Sequence, residues 1–95
     1  MIDEVFEWDD EKEVVNLRNH GVSFHDAITA FYDPFGVEEI DDREFYGEDR
    51  INMLGMCGDT LLHVTYTERG SRIRIISARR AEKYEREDYH CQNSI

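Results

Sequence analysis

The sequence predicts an α+β fold: an antiparallel β-sheet of three to four strands with two N-terminal helices and one C-terminal helix, in the order β-α-α-β-β-β-α. Three features carry that expectation. Apolar residues recur at helical spacing between capping residues through the first third of the chain. From residue 36 the period changes to two, with turn residues separating short runs. The run Arg72-Ile73-Arg74-Ile75 then alternates cation and aliphatic side chains before helical spacing returns.

In order, Phe6-Glu7-Trp8 reads as a short opening strand. Asp9-Asp10 caps a first helix that carries Glu11 and Glu13 at its positive dipole end, runs to His20 and stops at Gly21. Val14 and Leu17 are its expected core residues, and Lys12, Asn16 and His20, each four apart, its polar stripe. Ser23 opens a second helix, with Asp26 in the capping position and Val22 as a staple against Ala27. Phe24, Ala27, Ile28 and Phe31 give that helix one apolar face, His25 points away from it, and Asp33-Pro34 ends it. Gly36 to Ile40 is a weak strand, the polar run Asp41 to Asp49 a loop, and Arg50 to Cys57 a strand in which Gly55 marks a bulge. Thr60 to Glu68 and Ser71 to Ala78 form a hairpin about Arg69-Gly70, and a last helix extends from Arg79 to about His90.

The 95 residues make one domain, 1–95, able to bury roughly 60–65% of its unfolded surface. Cys57 and Cys91 form neither a CxxC pair nor a metal spacing with the four histidines, so reduced thiols, no metal and no cofactor are expected. No stretch has the length of an apolar membrane span and no basic-then-apolar leader opens the chain, so a cytoplasmic location without membrane contact is expected. The formal net charge of -11 conceals an asymmetry: residues 1–49 hold 16 acids and 3 bases, residues 50–95 hold 6 acids and 8 bases. Arginines 69, 72, 74, 79 and 80 fall within twelve residues, and no Asp or Glu lies between Arg69 and Ala81. An anionic ligand is expected there.

With Arg69-Gly70 as the turn, Tyr66 would face Ile73, Val64 would face Ile75 and Leu62 would face Ser77 on an apolar side. The other side would pair Thr67 with Arg72, Thr65 with Arg74 and His63 with Ile76, a cationic face with a histidine. A Gly-rich phosphate loop, HExxH and a Ser-His-Asp signature are all missing from the sequence, which argues against nucleotide hydrolysis, zinc chemistry and acyl transfer. Arginine, histidine, tyrosine and carboxylate together suit metal-free cleavage of a phosphodiester by its own 2′-hydroxyl, a group that only RNA supplies.

The residues Phe6-Glu7-Trp8-Asp9, Lys12, Asn16, His20-Gly21-Val22-Ser23-Phe24, Asp33-Pro34, Gly47-Glu48, Arg50, Gly55, Arg72 through Ala81, Glu85-Arg86 and Tyr89 resemble the pattern of the BrnT toxins over nearly the whole chain. Asn19 stands where that pattern often has Lys. The resemblance implies a RelE-like fold and an mRNA-cleaving ribonuclease toxin of a bacterial type II toxin-antitoxin module. It also implies neutralisation by a BrnA-type ribbon-helix-helix antitoxin, which binds operator DNA in the toxin's stead, and it leaves a role for the ribosome open. On this reading Arg74 and Arg79 stabilise the transition state, and Arg72, Arg80, Lys12 and Arg50 bind RNA. His63 or His20 transfers the proton, with Glu48 and Tyr89 as alternates. The alternative is a non-catalytic antitoxin-binding protein acting as operon co-repressor, its acidic half docking a basic partner.

Overall fold

A computed structural model describes residues 1–41 and 49–94. The described elements are β1 (Phe6–Glu7), α1 (Asp10–His20), α2 (Phe24–Phe31), β2 (Val37–Asp41), β3 (Arg50–Cys57), β4 (Thr60–Arg69), β5 (Arg72–Arg80) and α3 (Lys83–Gln92). Local chemistry sets the early boundaries as expected. The Asp9 carboxylate accepts from the N–H groups of Glu11 and Lys12 at the start of α1, and Gly21, at φ 69°, closes that helix by donating to the Leu17 carbonyl. Ser23 Oγ accepts from the Asp26 N–H at the start of α2.

Among the described residues the sheet has five strands in the order β1-β5-β4-β3-β2, where three to four were expected, and it is mixed rather than antiparallel. β1 lies parallel to β5, with Phe6 opposite Ile73 and Glu7 opposite Arg74. A two-residue strand has no periodicity of its own, so only its partner's edge fixes its direction.

Helices cover both faces of the sheet. On the first face α1 and α2 enclose Phe24, Val64 and Ile75, the largest fully buried side chains, together with Phe6, Trp8, Ala27, Ala30, Met53, Leu62, Tyr66 and Ala78. Gly55 allows this packing. A Cβ there would sit 2.4 Å from the Ala30 carbonyl oxygen, so the glycine marks the crossing of α2 over β3 and not a bulge. On the second face α3 seals a smaller cluster of Leu54, Leu61, Ala81 and Tyr89.

α1 departs from its pattern. Val14 and Leu17 are about half exposed and the buried residue is Asn16. β1 pairs only with Ile73 and Arg74, so the edge of β5 beyond them needs other partners. Asn16 supplies them: its carboxamide donates to the Ala78 carbonyl (2.8 Å) and the Val22 carbonyl (2.9 Å) and accepts from the Ala78 N–H (3.1 Å). One side chain takes the place of a sixth strand at that point.

The hairpin turns at Gly70 and Ser71, one residue later than expected, with Gly70 at φ 59°. Tyr66 therefore faces Ile75 and Thr67 faces Arg74, a two-residue slip that keeps the side chains from Tyr66 to Ile75 on their expected faces but leaves Ser77, expected on the apolar side, opposite Thr65 on the polar one. The register then shifts between Thr65 and Tyr66, leaving Ile76 as an extra residue in β5. Beyond it Thr65 faces Ser77, Val64 faces Ala78 and His63 faces Arg79. β5 also continues through Arg79 and Arg80, so α3 begins at Lys83 rather than Arg79. Glu82 caps it in a capping box with Glu85, and the two arginines never meet the helix dipole.

Candidate active site

Cross-strand pairing arranges the second face of the sheet in rows. The first runs Val37, Leu54, His63, Arg79; the next Glu39, Asn52, Thr65, Ser77. In the third, Asp41 is opposite Arg50, Thr67 opposite Arg74, and Arg74 opposite Glu7. α3 closes over one end of this face and leaves a groove of about 510 Å³ whose lining includes His63, Arg79, Tyr84, Glu85, Asn52 and Glu39.

At its base Glu85, a buried acid, organises its neighbours. Arg79 grips it with both guanidinium nitrogens, Nη1 to Oε1 at 2.7 Å and Nη2 to Oε2 at 3.0 Å. His63 Nε2 stands 3.6 Å from Oε2, and the Glu82 N–H donates to Oε1 at 2.8 Å. Burial raises the Glu85 pKa, but the hydrogen bonds from Arg79 and Glu82 and the charges of His63 and Arg79 outweigh it and hold the carboxyl below its ordinary value. The hydrogen bonds to Glu85 in turn push the Arg79 guanidinium pKa up against the opposing effect of burial. The result is a fixed cation beside an imidazole, backed by one ionised carboxylate. Such a set can hold a phosphate oxygen and exchange a proton with an adjacent hydroxyl.

The other expected site residues are dispersed. Arg74 shares the face but belongs to the third row, roughly 15 Å from Arg79 along the strand, and its Nη1 bonds Glu7 Oε2 at 2.7 Å. Arg72 Nε donates to the Asp3 carbonyl at 2.6 Å. Arg80 is exposed at the end of β5, and Arg50 lies opposite Asp41 at the start of β3. Lys12 and His20 line a different groove, of about 430 Å³, with Asn16, Asn19 and Ile76 between α1 and β5. Tyr89 is buried and donates to Asp33 Oδ2 at 2.6 Å; its pKa is pushed up to about 12, by burial first and Asp33 second. Glu48 lies outside the described residues.

Six polar groove residues were not among the expected site residues: Glu39, Asp41, Asn52, Tyr84, Glu85 and Asp88. The signal for Glu85 was the spacing of Glu82 and Glu85, a capping pair that is visible only once the helix start is placed after Arg80.

These features define a small α+β protein with a groove on the second face of its sheet in which an arginine, a histidine and a buried glutamate meet. Residues 8–85 match the family model described as the ribonuclease toxin BrnT of type II toxin-antitoxin systems, and the chain belongs to that family. Membership gives it the ribonuclease toxin class and an antitoxin partner. Among curated proteins, none matches the chain. Among the described residues, no helix is long and apolar enough to cross a membrane.

Proposed function

We infer that the chain is a RelE-like endoribonuclease that cleaves mRNA through the ribose 2′-hydroxyl, without a metal step, in the groove holding His63, Arg79 and Glu85. The observation that carries this is the bidentate Arg79–Glu85 pair with His63 at 3.6 Å. His63 takes the 2′-OH proton, O2′ attacks phosphorus, and the added negative charge of the pentacoordinate phosphate meets Arg79. The P–O5′ bond breaks, leaving a 2′,3′-cyclic phosphate and a 5′-hydroxyl protonated from solvent. Arg74, Arg72 and Arg50 lie on the RNA path outside the chemistry, and Lys12, Arg80 and His20 are peripheral to it. A basic BrnA-type antitoxin, which carries the operator DNA contact, neutralises the toxin in the cytoplasm.

Antitoxin-free protein incubated with total RNA at low salt tests this. Fragments with 2′,3′-cyclic phosphate ends are expected, and their formation should drop about 100-fold or more in Arg79→Ala. A second reading, an antitoxin-binding co-repressor without catalysis, is favoured by one observation: Arg79 and Arg74 are already paired with Glu85 and Glu7. Growth arrest on induction without antitoxin decides for the nuclease, and unimpeded growth with operator binding intact decides for the co-repressor.

A further inference from the structure

The groove carries groups that the phosphoryl chemistry leaves unused. Tyr84 lines it with its side chain 63% exposed, and its hydroxyl is tethered 3.5 Å from Glu85 Oε2. A ring held at one end with its face in solvent is a stacking platform for a planar group. Asn52 lines the same groove, and its Oδ1 accepts from Thr65 Oγ1 at 2.8 Å. That bond orients the carboxamide and commits its oxygen. Its two N–H donors bond no group among the described residues. Glu39 is the direct cross-strand partner of Asn52, so the two side chains stand side by side on one face. The Glu39 carboxylate also has no hydrogen-bond or ion-pair partner among the described residues, whereas Asp88 accepts from Gln92 and Glu85 is gripped by Arg79. An amide donor and an uncommitted carboxylate therefore adjoin one another in a groove that also presents an aromatic ring.

We propose that this part of the groove is a nucleobase pocket selecting guanine at the nucleotide next to the cleaved phosphate, through Asn52, Glu39 and Tyr84. This rests on the ribonuclease reading above. The Watson–Crick edge of guanine presents the O6 acceptor beside two adjacent donors, N1–H and N2–H. Asn52 donates to O6 while the two carboxylate oxygens of Glu39 accept from N1–H and N2–H, a charge-assisted bidentate pair. Adenine and cytosine offer one amino donor beside a ring-nitrogen acceptor, which leaves one carboxylate oxygen unsatisfied. Uracil sets a second carbonyl against the carboxylate. Stacking on Tyr84 serves all four bases, so it contributes affinity without discrimination. The arrangement also gives a reason for an unneutralised acid in a phosphate-binding groove: Glu39 meets the base and not the backbone.

The test is titration of the antitoxin-free protein with each of the four nucleoside 3′-monophosphates, followed by NMR of the Asn52 side-chain amide. Oligoribonucleotides differing at one base are cleaved in parallel. Guanosine 3′-monophosphate is expected to bind roughly ten- to a hundredfold more tightly than the other three and to shift the Asn52 amide. Glu39→Gln should lower its affinity to theirs, and Tyr84→Ala should weaken all four alike; both side chains are exposed, so neither change threatens the fold. Equal affinities, binding of none of the four, a guanine preference that survives Glu39→Gln, or an unmoved Asn52 amide would each overturn the pocket. Cleavage of RNA without base preference would remove the pocket and keep the nuclease. Guanosine-selective binding without any cleavage would keep the pocket and remove the nuclease.

Discussion

Glu85 and Asn16 show what a single polar side chain contributes in a small domain. Asn16 satisfies three backbone groups, so Asn16→Ala leaves Ala78 and Val22 with lost bonds in a buried setting. A destabilisation of about 2–3 kcal/mol is expected, measurable by urea unfolding. The sequence showed Asn16 within a polar helical stripe, and a polar stripe reads as solvent-facing because periodicity cannot reveal an unpaired sheet edge. Glu85 was hidden for a different reason: with α3 begun at Arg79, its N-terminal capping role had no place. Glu85 and Asp33 both titrate below their ordinary values of 4.5 and 3.8 in the folded state. Burial opposes the Asp33 shift, and hydrogen bonds from Tyr89, Phe35 and Met56 overcome it. A depressed carboxyl stabilises the fold above its unfolded pKa and loses that contribution as pH falls through the folded value. Thermal unfolding should therefore hold steady from neutrality to about pH 5 and then decline below about pH 4. Glu85→Gln should flatten part of that decline. An acid profile identical to that of the native protein would remove Glu85 from the account.

At the scale of elements, the bulge at Ile76 decides the site. Without it, alternation along β5 would put Arg79 and His63 on opposite faces; with it they face one another and Ala78 enters the core. The helix caps, the α2 stripe and the turn glycine were legible because each is a local signal. The bulge was not, since one extra residue in a strand leaves the hydrophobic pattern plausible in either register. The Gly55 crossing was visible as a glycine in a strand, but its reason is a helix brought in from elsewhere in the chain. Gly55→Ala places a methyl 2.4 Å from the Ala30 carbonyl oxygen, backbone that must move. We expect a loss of about 2–3 kcal/mol from overpacking, read as a lower Tm; an unchanged Tm would mean that α2 does not sit as described.

Over the whole molecule, charge is divided between a strongly acidic first half and a basic second half, and the fold brings the two together across the sheet: Glu7 onto Arg74, Glu39 and Asp41 beside the Arg79 groove. Acids line the approach to the arginines, so a polyanion would meet a few fixed contacts there and not a broad positive field. The division was plain in the sequence. Which arginine stays with the histidine was not, because strand register, and not composition, separates Arg79 from Arg74. The central claim is that chemistry resides at Arg79 and His63, and its most direct test compares Arg79→Lys with Arg74→Lys in cleavage of total RNA. Lysine keeps the charge but cannot reproduce the two-nitrogen grip on Glu85. We predict a loss of about tenfold or more for Arg79→Lys and little change for Arg74→Lys. Full cleavage by Arg79→Lys together with its collapse in Arg74→Lys would contradict the account and move the site to the third row.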